Sequence, residues 1–202
     1  MWNRIALVAA AVAASFALTG AGQVASPSAP ENAAAAHAVT VLTEQPAGPG
    51  DLAAAIPADF AAVEGYDPVA VAGPDGAVLM IDPAGGCSWL GSTDYDFGPA
   101  CRAHDLGYDL LRYATVKGGE LGPWARHAID DRFAADLHDR CAEVDGGTTC
   151  AALARATAGA VGFNSWRQGY GNPGDEAVWP YLVSAALIAG ALLSPSIVRR
   201  FR

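Results

Sequence analysis

The alternation of apolar and polar positions changes period several times along the chain. Residues 5–22, IALVAAAVAASFALTGAG, carry no charge and follow Arg4. That order predicts a secretory signal peptide over 1–25, with cleavage between Ala21 and Ala36. Residues 26–50 are rich in Ala, Pro and Gly and read as a flexible linker. The extension over 51–82 predicts a short helix in DLAAAIPADFAAVEG and a hairpin around the Pro-Asp-Gly of PVAVAGPDGAVLMID. A turn-rich loop, PAGGCSWLGSTDYDFGP, follows. Three stretches of helical period come next, at about 99–116, 123–143 and 148–168, the first two opening on proline. Residues 177–198 are again uncharged and span about 33 Å as a helix, one hydrocarbon core. Trp179 and Tyr181 at one end and RRFR at the other predict a transmembrane helix with a basic cytoplasmic tail over 199–202.

Composition narrows the partners. The 202 residues hold 12 Lys+Arg against 21 Asp+Glu, a formal net charge of −9. No basic stripe is present, so nucleic acid is excluded as an expected partner. All four cysteines, Cys87, Cys101, Cys141 and Cys150, lie in the central stretch. An even number in an exported chain reads as disulfides, for which three pairings exist. Close CxxC or HxxxH spacing, which a zinc site needs, is missing. The GxSxG elbow of serine esterases is missing too.

The helical stripes carry the candidate chemistry. Cys101, His104, Tyr108 and Leu111 share one face of the first helix. Asp130, Phe133, Ala134, Leu137 and Cys141 share one face of the second. Asp130 is the polar exception on an otherwise core-like stripe, and a buried carboxylate needs a partner. Packing the two stripes together brings it to His104. That pair either orients a catalytic base or is a structural hydrogen bond. Asp105 lies about 100° round the helix and can face the Gly-rich loop, where hard oxygen ligands suit calcium. His127 with Asp131, and His138, read as solvated helix faces.

CSWLGSTDYDFGPACRAHDLGYDLLRYA, followed by AIDDRFAADLHDRC, resembles the prokaryotic-type secreted phospholipase A2 family. The resemblance covers about 82–150 and extends toward 167. It implies a mainly α fold: a small disulfide-stapled helical domain over 83–168 with two antiparallel core helices. It implies His104 as general base, Asp130 as its orienting carboxylate and Tyr108 as a substrate-contacting or supporting group. Asp105 and the Gly86 carbonyl would bind calcium, and the disulfides would be Cys87–Cys101 and Cys141–Cys150. The implied reaction is calcium-dependent hydrolysis of the sn-2 ester of phospholipids by a monomer at an extracytoplasmic membrane surface. A non-catalytic module that binds lipid or a protein is the alternative. The family carries a calcium-binding aspartate two residues before the first of these cysteines. Here that position is Gly85, with Asp82, Asp94 and Asp96 as candidate substitutes.

Overall fold

The helical periods after Phe97 fold as the pattern requires. The computed structural model describes residues 2–19, 30–44, 48–87, 94–174 and 179–200. Helix α1 (Trp2–Thr19) is followed by α2 (Ala33–Thr43), α3 (Pro49–Ala55) and α4 (Phe60–Glu64). Strands β1 (Val69–Ala72) and β2 (Val78–Ile81) pair antiparallel, with Val69 opposite Ile81 and the Pro74–Gly76 turn between them. Helices α5 (Gly98–Val116), α6 (Pro123–Glu143), α7 (Gly147–Arg167) and α8 (Trp179–Arg200) complete the order. The fold is mainly helical, as expected.

Proline in the first turn starts both α5 and α6, where its missing N–H breaks no helical bond. The two helices run antiparallel: His104 meets Phe133, and Tyr108 meets Arg126. Their closest crossing is at Gly107. A β-carbon there would lie 2.7 Å from the Ile129 Cγ2 methyl, on a stiff β-branched side chain. Gly107→Ala is therefore expected to destabilise the fold by about 1–3 kcal/mol through overpacking, read as a lower urea midpoint. An unchanged midpoint would show that the crossing has slack.

The region before the loop differs from the expectation. Residues 33–43 of the expected linker over 26–50 form α2, capped by the Asn32 side chain accepting from the Ala35 N–H. Ala35, Ala38 and Val39 are fully buried. With Leu52, Phe60 and Met80 they pack on Leu106, Leu110 and Ile129 in one core cluster. The extension thus supplies part of the wall around α5 and α6. A second cluster, around Phe97, Phe133 and Leu137, includes both disulfides.

The C-terminal expectation of a membrane span is not shown. Helix α8 occupies most of 177–198, but no helix among the described residues is long and apolar enough to cross a membrane. Helix α8 packs along α1, and Ser184 is buried. Arg199 and Arg200 of the expected basic tail belong to α8, and residues 201–202 lie outside the described residues. The expected signal region includes α1, while the expected cleavage range begins in 20–29, also outside them.

Candidate active site

Helix α5 presents His104 and Asp105 at neighbouring angles, and each faces a different wall. His104 faces α6. Its Nε2 lies 2.9 Å from Asp130 Oδ1, with both side chains about nine-tenths buried. An ionised carboxylate can only accept, so Nε2 holds the proton and Nδ1 keeps its lone pair. Tyr108, one turn on, donates its hydroxyl to the same Asp130 oxygen at 2.9 Å. Burial, then the Asp130 charge, pushes the Tyr108 phenol up to about 12, so it remains a donor at neutral pH. The imidazole is held between the Tyr108 and Phe133 rings, at centroid distances of 4.2 and 4.7 Å. These contacts restrict its rotation, which a base of fixed direction requires.

Periodicity in the sequence did not single out Arg126. It is fully buried, and among the described residues no carboxylate forms an ion pair with it. Its Nε donates to Tyr108 Oη at 3.2 Å and to Ser165 Oγ at 3.0 Å. Nη1 donates to the Gly171 carbonyl at 2.8 Å, and Nη2 donates to Gln168. The guanidinium thus sits one hydrogen bond behind Tyr108 and two behind Asp130. Arg126 lies four residues before Asp130, so extending the Asp130 stripe by one turn would have found it.

His104 also lines an apolar slot. Val39 and Leu42 of α2, Leu52 of α3 and Met80 of β2 face Ile129 and Phe133 across it. Asp136 reaches the same slot, where burial raises its carboxyl above the usual range despite its ion pair with Arg132. Its lining from α2, α3 and β2 precedes the Gly-rich loop altogether.

Asp105 faces the turn that follows β2. Its Oδ2 accepts the Gly86 N–H at 2.8 Å, and burial raises its carboxyl despite that bond and the nearby His104. Asp82 is held in the same turn, its Oδ1 accepting from the Ala84 N–H at 2.8 Å. A β-carbon on Gly85 would lie 2.6 Å from Asp105 Oδ2 and 3.0 Å from Asp82 Oδ2. Both carboxylates therefore crowd the space a side chain at position 85 would take, and the glycine leaves it open to them. Asp96, another candidate substitute, instead lies 4.0 Å from Arg140. Among the described residues no group of three or more His, Cys, Asp or Glu could hold a metal. The carboxylates of Asp82 and Asp105 are nonetheless hard oxygen donors of the kind calcium takes, and in donor chemistry they fit the ion.

The disulfides anchor both ends of this arrangement. Cys87–Cys101 joins the turn to the start of α5, and Cys141–Cys150 joins the end of α6 to the start of α7. Both pairings are those implied by the resemblance. His127 is exposed and stacks on Tyr170 at 3.6 Å, well outside this cluster. His104 and Tyr108 thus meet at Asp130, and Asp105 meets Gly86. Arg126 is the addition, and of the candidate substitutes Asp82 is the one that lies beside Asp105.

Residues 83–163 match the family model described as prokaryotic phospholipase A2. The resemblance read from the motifs is borne out over that segment. No curated protein and no solved structure matches the chain.

Proposed function

From the match of residues 83–163 to this family model, we propose that the domain hydrolyses the sn-2 ester of phospholipids with water as the nucleophile. The observation that carries the reading is the 2.9 Å bond from His104 Nε2 to Asp130, which leaves Nδ1 free as a base beside an apolar slot. Nδ1 takes a proton from water as the water oxygen attacks the acyl carbonyl. Asp130 keeps the ring oriented and balances the imidazolium that forms. The same proton then passes from Nδ1 to the departing glycerol oxygen as the ester C–O bond breaks. A fatty acid and a lysophospholipid result. Asp105, Asp82 and the Gly86 carbonyl would hold calcium, whose charge would stabilise the phosphate and the oxyanion when bound. The apolar slot would take part of an acyl chain.

The setting is proposed on the same basis. Two disulfides accord with an extracytoplasmic location. The partner is a phospholipid surface, and the domain acts as a monomer without nucleic acid.

The test is fatty-acid release from mixed phospholipid vesicles by the full, disulfide-formed chain, with calcium and with chelator. Calcium-dependent release is expected. If no lipid is cleaved at any calcium concentration, the catalytic reading fails. A non-catalytic lipid-binding module, to which the glycine at position 85 points, would then remain.

Arg126 gives a second expectation. Removing its charge takes a donor from behind Tyr108, which in turn holds Asp130. Arg126→Gln should therefore lower kcat by about tenfold with KM little changed, and Arg126→Lys should lie closer to wild type. An unchanged kcat would make Arg126 a purely structural residue.

A further inference from the structure

On the far side of Tyr108 from His104 lies a second pocket, of ≈ 460 Å³, between the end of α5, the end of α7 and the segment after it. The whole chain is strongly acidic, yet among the described residues no carboxylate lines this pocket. Arg112, Arg126, Asn164, Gln168 and Asn172 do. Arg126 brings a fully buried positive charge to its floor, with no carboxylate in ion-pair contact among the described residues. Arg112 is half exposed at the rim, donating Nε to the Pro173 carbonyl at 3.2 Å and Nη1 to Asp109.

The amides are arranged to donate. Gln168 Oε1 accepts from Arg126 and from Asn164 Nδ2, which leaves the Gln168 amide hydrogens for another acceptor. One polar atom points the other way. Asn172 Oδ1 is buried and has no hydrogen-bond partner among the described residues, although its backbone N–H donates to Glu120 at 3.4 Å. An orphaned buried acceptor costs free energy until a donor reaches it.

We propose that this pocket binds a small phosphate monoester bearing hydroxyl groups. The phosphate oxygens match the guanidinium and amide donors, since arginine recognises phosphate by paired N–H groups. A hydroxyl of the same molecule supplies the donor that Asn172 lacks. The pocket is separate from the His104 slot, and its occupancy does not depend on the phospholipase reading.

Calorimetric titration of the full chain in chelator with glycerol 3-phosphate tests it, beside inorganic phosphate and lysophosphatidic acid. Glycerol 3-phosphate is expected to bind more tightly than inorganic phosphate. Arg112→Gln should weaken it by about tenfold, the scale of one charge-assisted hydrogen bond. Asn164→Leu should weaken it also, and His104→Gln should leave it unchanged. Tighter binding of the lysolipid would assign the pocket to a lipid headgroup, and equal binding would assign it to a free ester. Absence of binding, or binding indifferent to both pocket variants, overturns the proposal. Loss of binding in His104→Gln also overturns it, because the ligand would then sit in the catalytic slot.

Discussion

His104→Gln is expected to lower phospholipid hydrolysis by about 10²–10⁴-fold while the melting temperature stays close to that of the wild type. Glutamine can keep a hydrogen bond to Asp130 Oδ1 and fills much of the space between Tyr108 and Phe133, but it has no basic nitrogen. Activity and stability should therefore separate, which alanine, by leaving a cavity between two rings, would not permit. Asp130→Asn provides the companion result. Its amide can donate to Nε2, which would put the imidazole proton on Nδ1 and remove the base without moving the ring. Both variants should be silent in the vesicle assay and folded by circular dichroism. Hydrolysis surviving in His104→Gln would move the chemistry to another group and leave the 2.9 Å pair as an ordinary core hydrogen bond.

Calcium binding should depend on Asp82 and should not be improved by an aspartate at position 85. Asp82→Asn removes one of two carboxylates that approach Gly85, and ligand charge sets calcium affinity. A loss of about ten- to hundredfold is expected, read from calcium titration by calorimetry. Gly85→Asp restores the family's residue type but meets Asp105 Oδ2 at 2.6 Å from its β-carbon. Either the turn or Asp105 must move, and a third carboxylate adds repulsion in the metal-free state. Its calcium affinity should fall or stay level. Tighter binding in Gly85→Asp, with Asp82→Asn indifferent, would instead mean that the turn lacks its principal ligand. Calorimetry reads the metal site directly, so this result stands whether or not the domain turns out to cleave lipid.

Much of the site was legible because its residues are local. His104, Asp105 and Tyr108 lie within two turns of one helix, so the 3.6-residue period alone sets their relative directions. Asp130 betrayed itself as a carboxylate on an apolar stripe. Residues 33–43 were misread because an alanine-rich run without contrast between faces has no informative period. Asn32 caps it, but only the neighbours decide that Ala35, Ala38 and Val39 are buried. The same blindness hid the slot, whose walls from α2, α3 and β2 come from segments that look like a linker and an extension. At the C-terminus, absence of charge suggested a membrane span, and among the described residues α8 is a helix that packs along α1.

By itself, the sequence determined the three central helices, the hairpin, the face on which His104 meets Asp130 and the resemblance that the family match over residues 83–163 bears out. These rest on short-range periodicity, turn chemistry and the need of a buried carboxylate for a partner. The tertiary structure alone decided that Asp82 joins Asp105 across Gly85, that Arg126 stands behind Tyr108 and that the extension walls the slot. Those outcomes depend on which distant side chains share one volume. Long-range packing and desolvation set that, and no pattern along the chain records it.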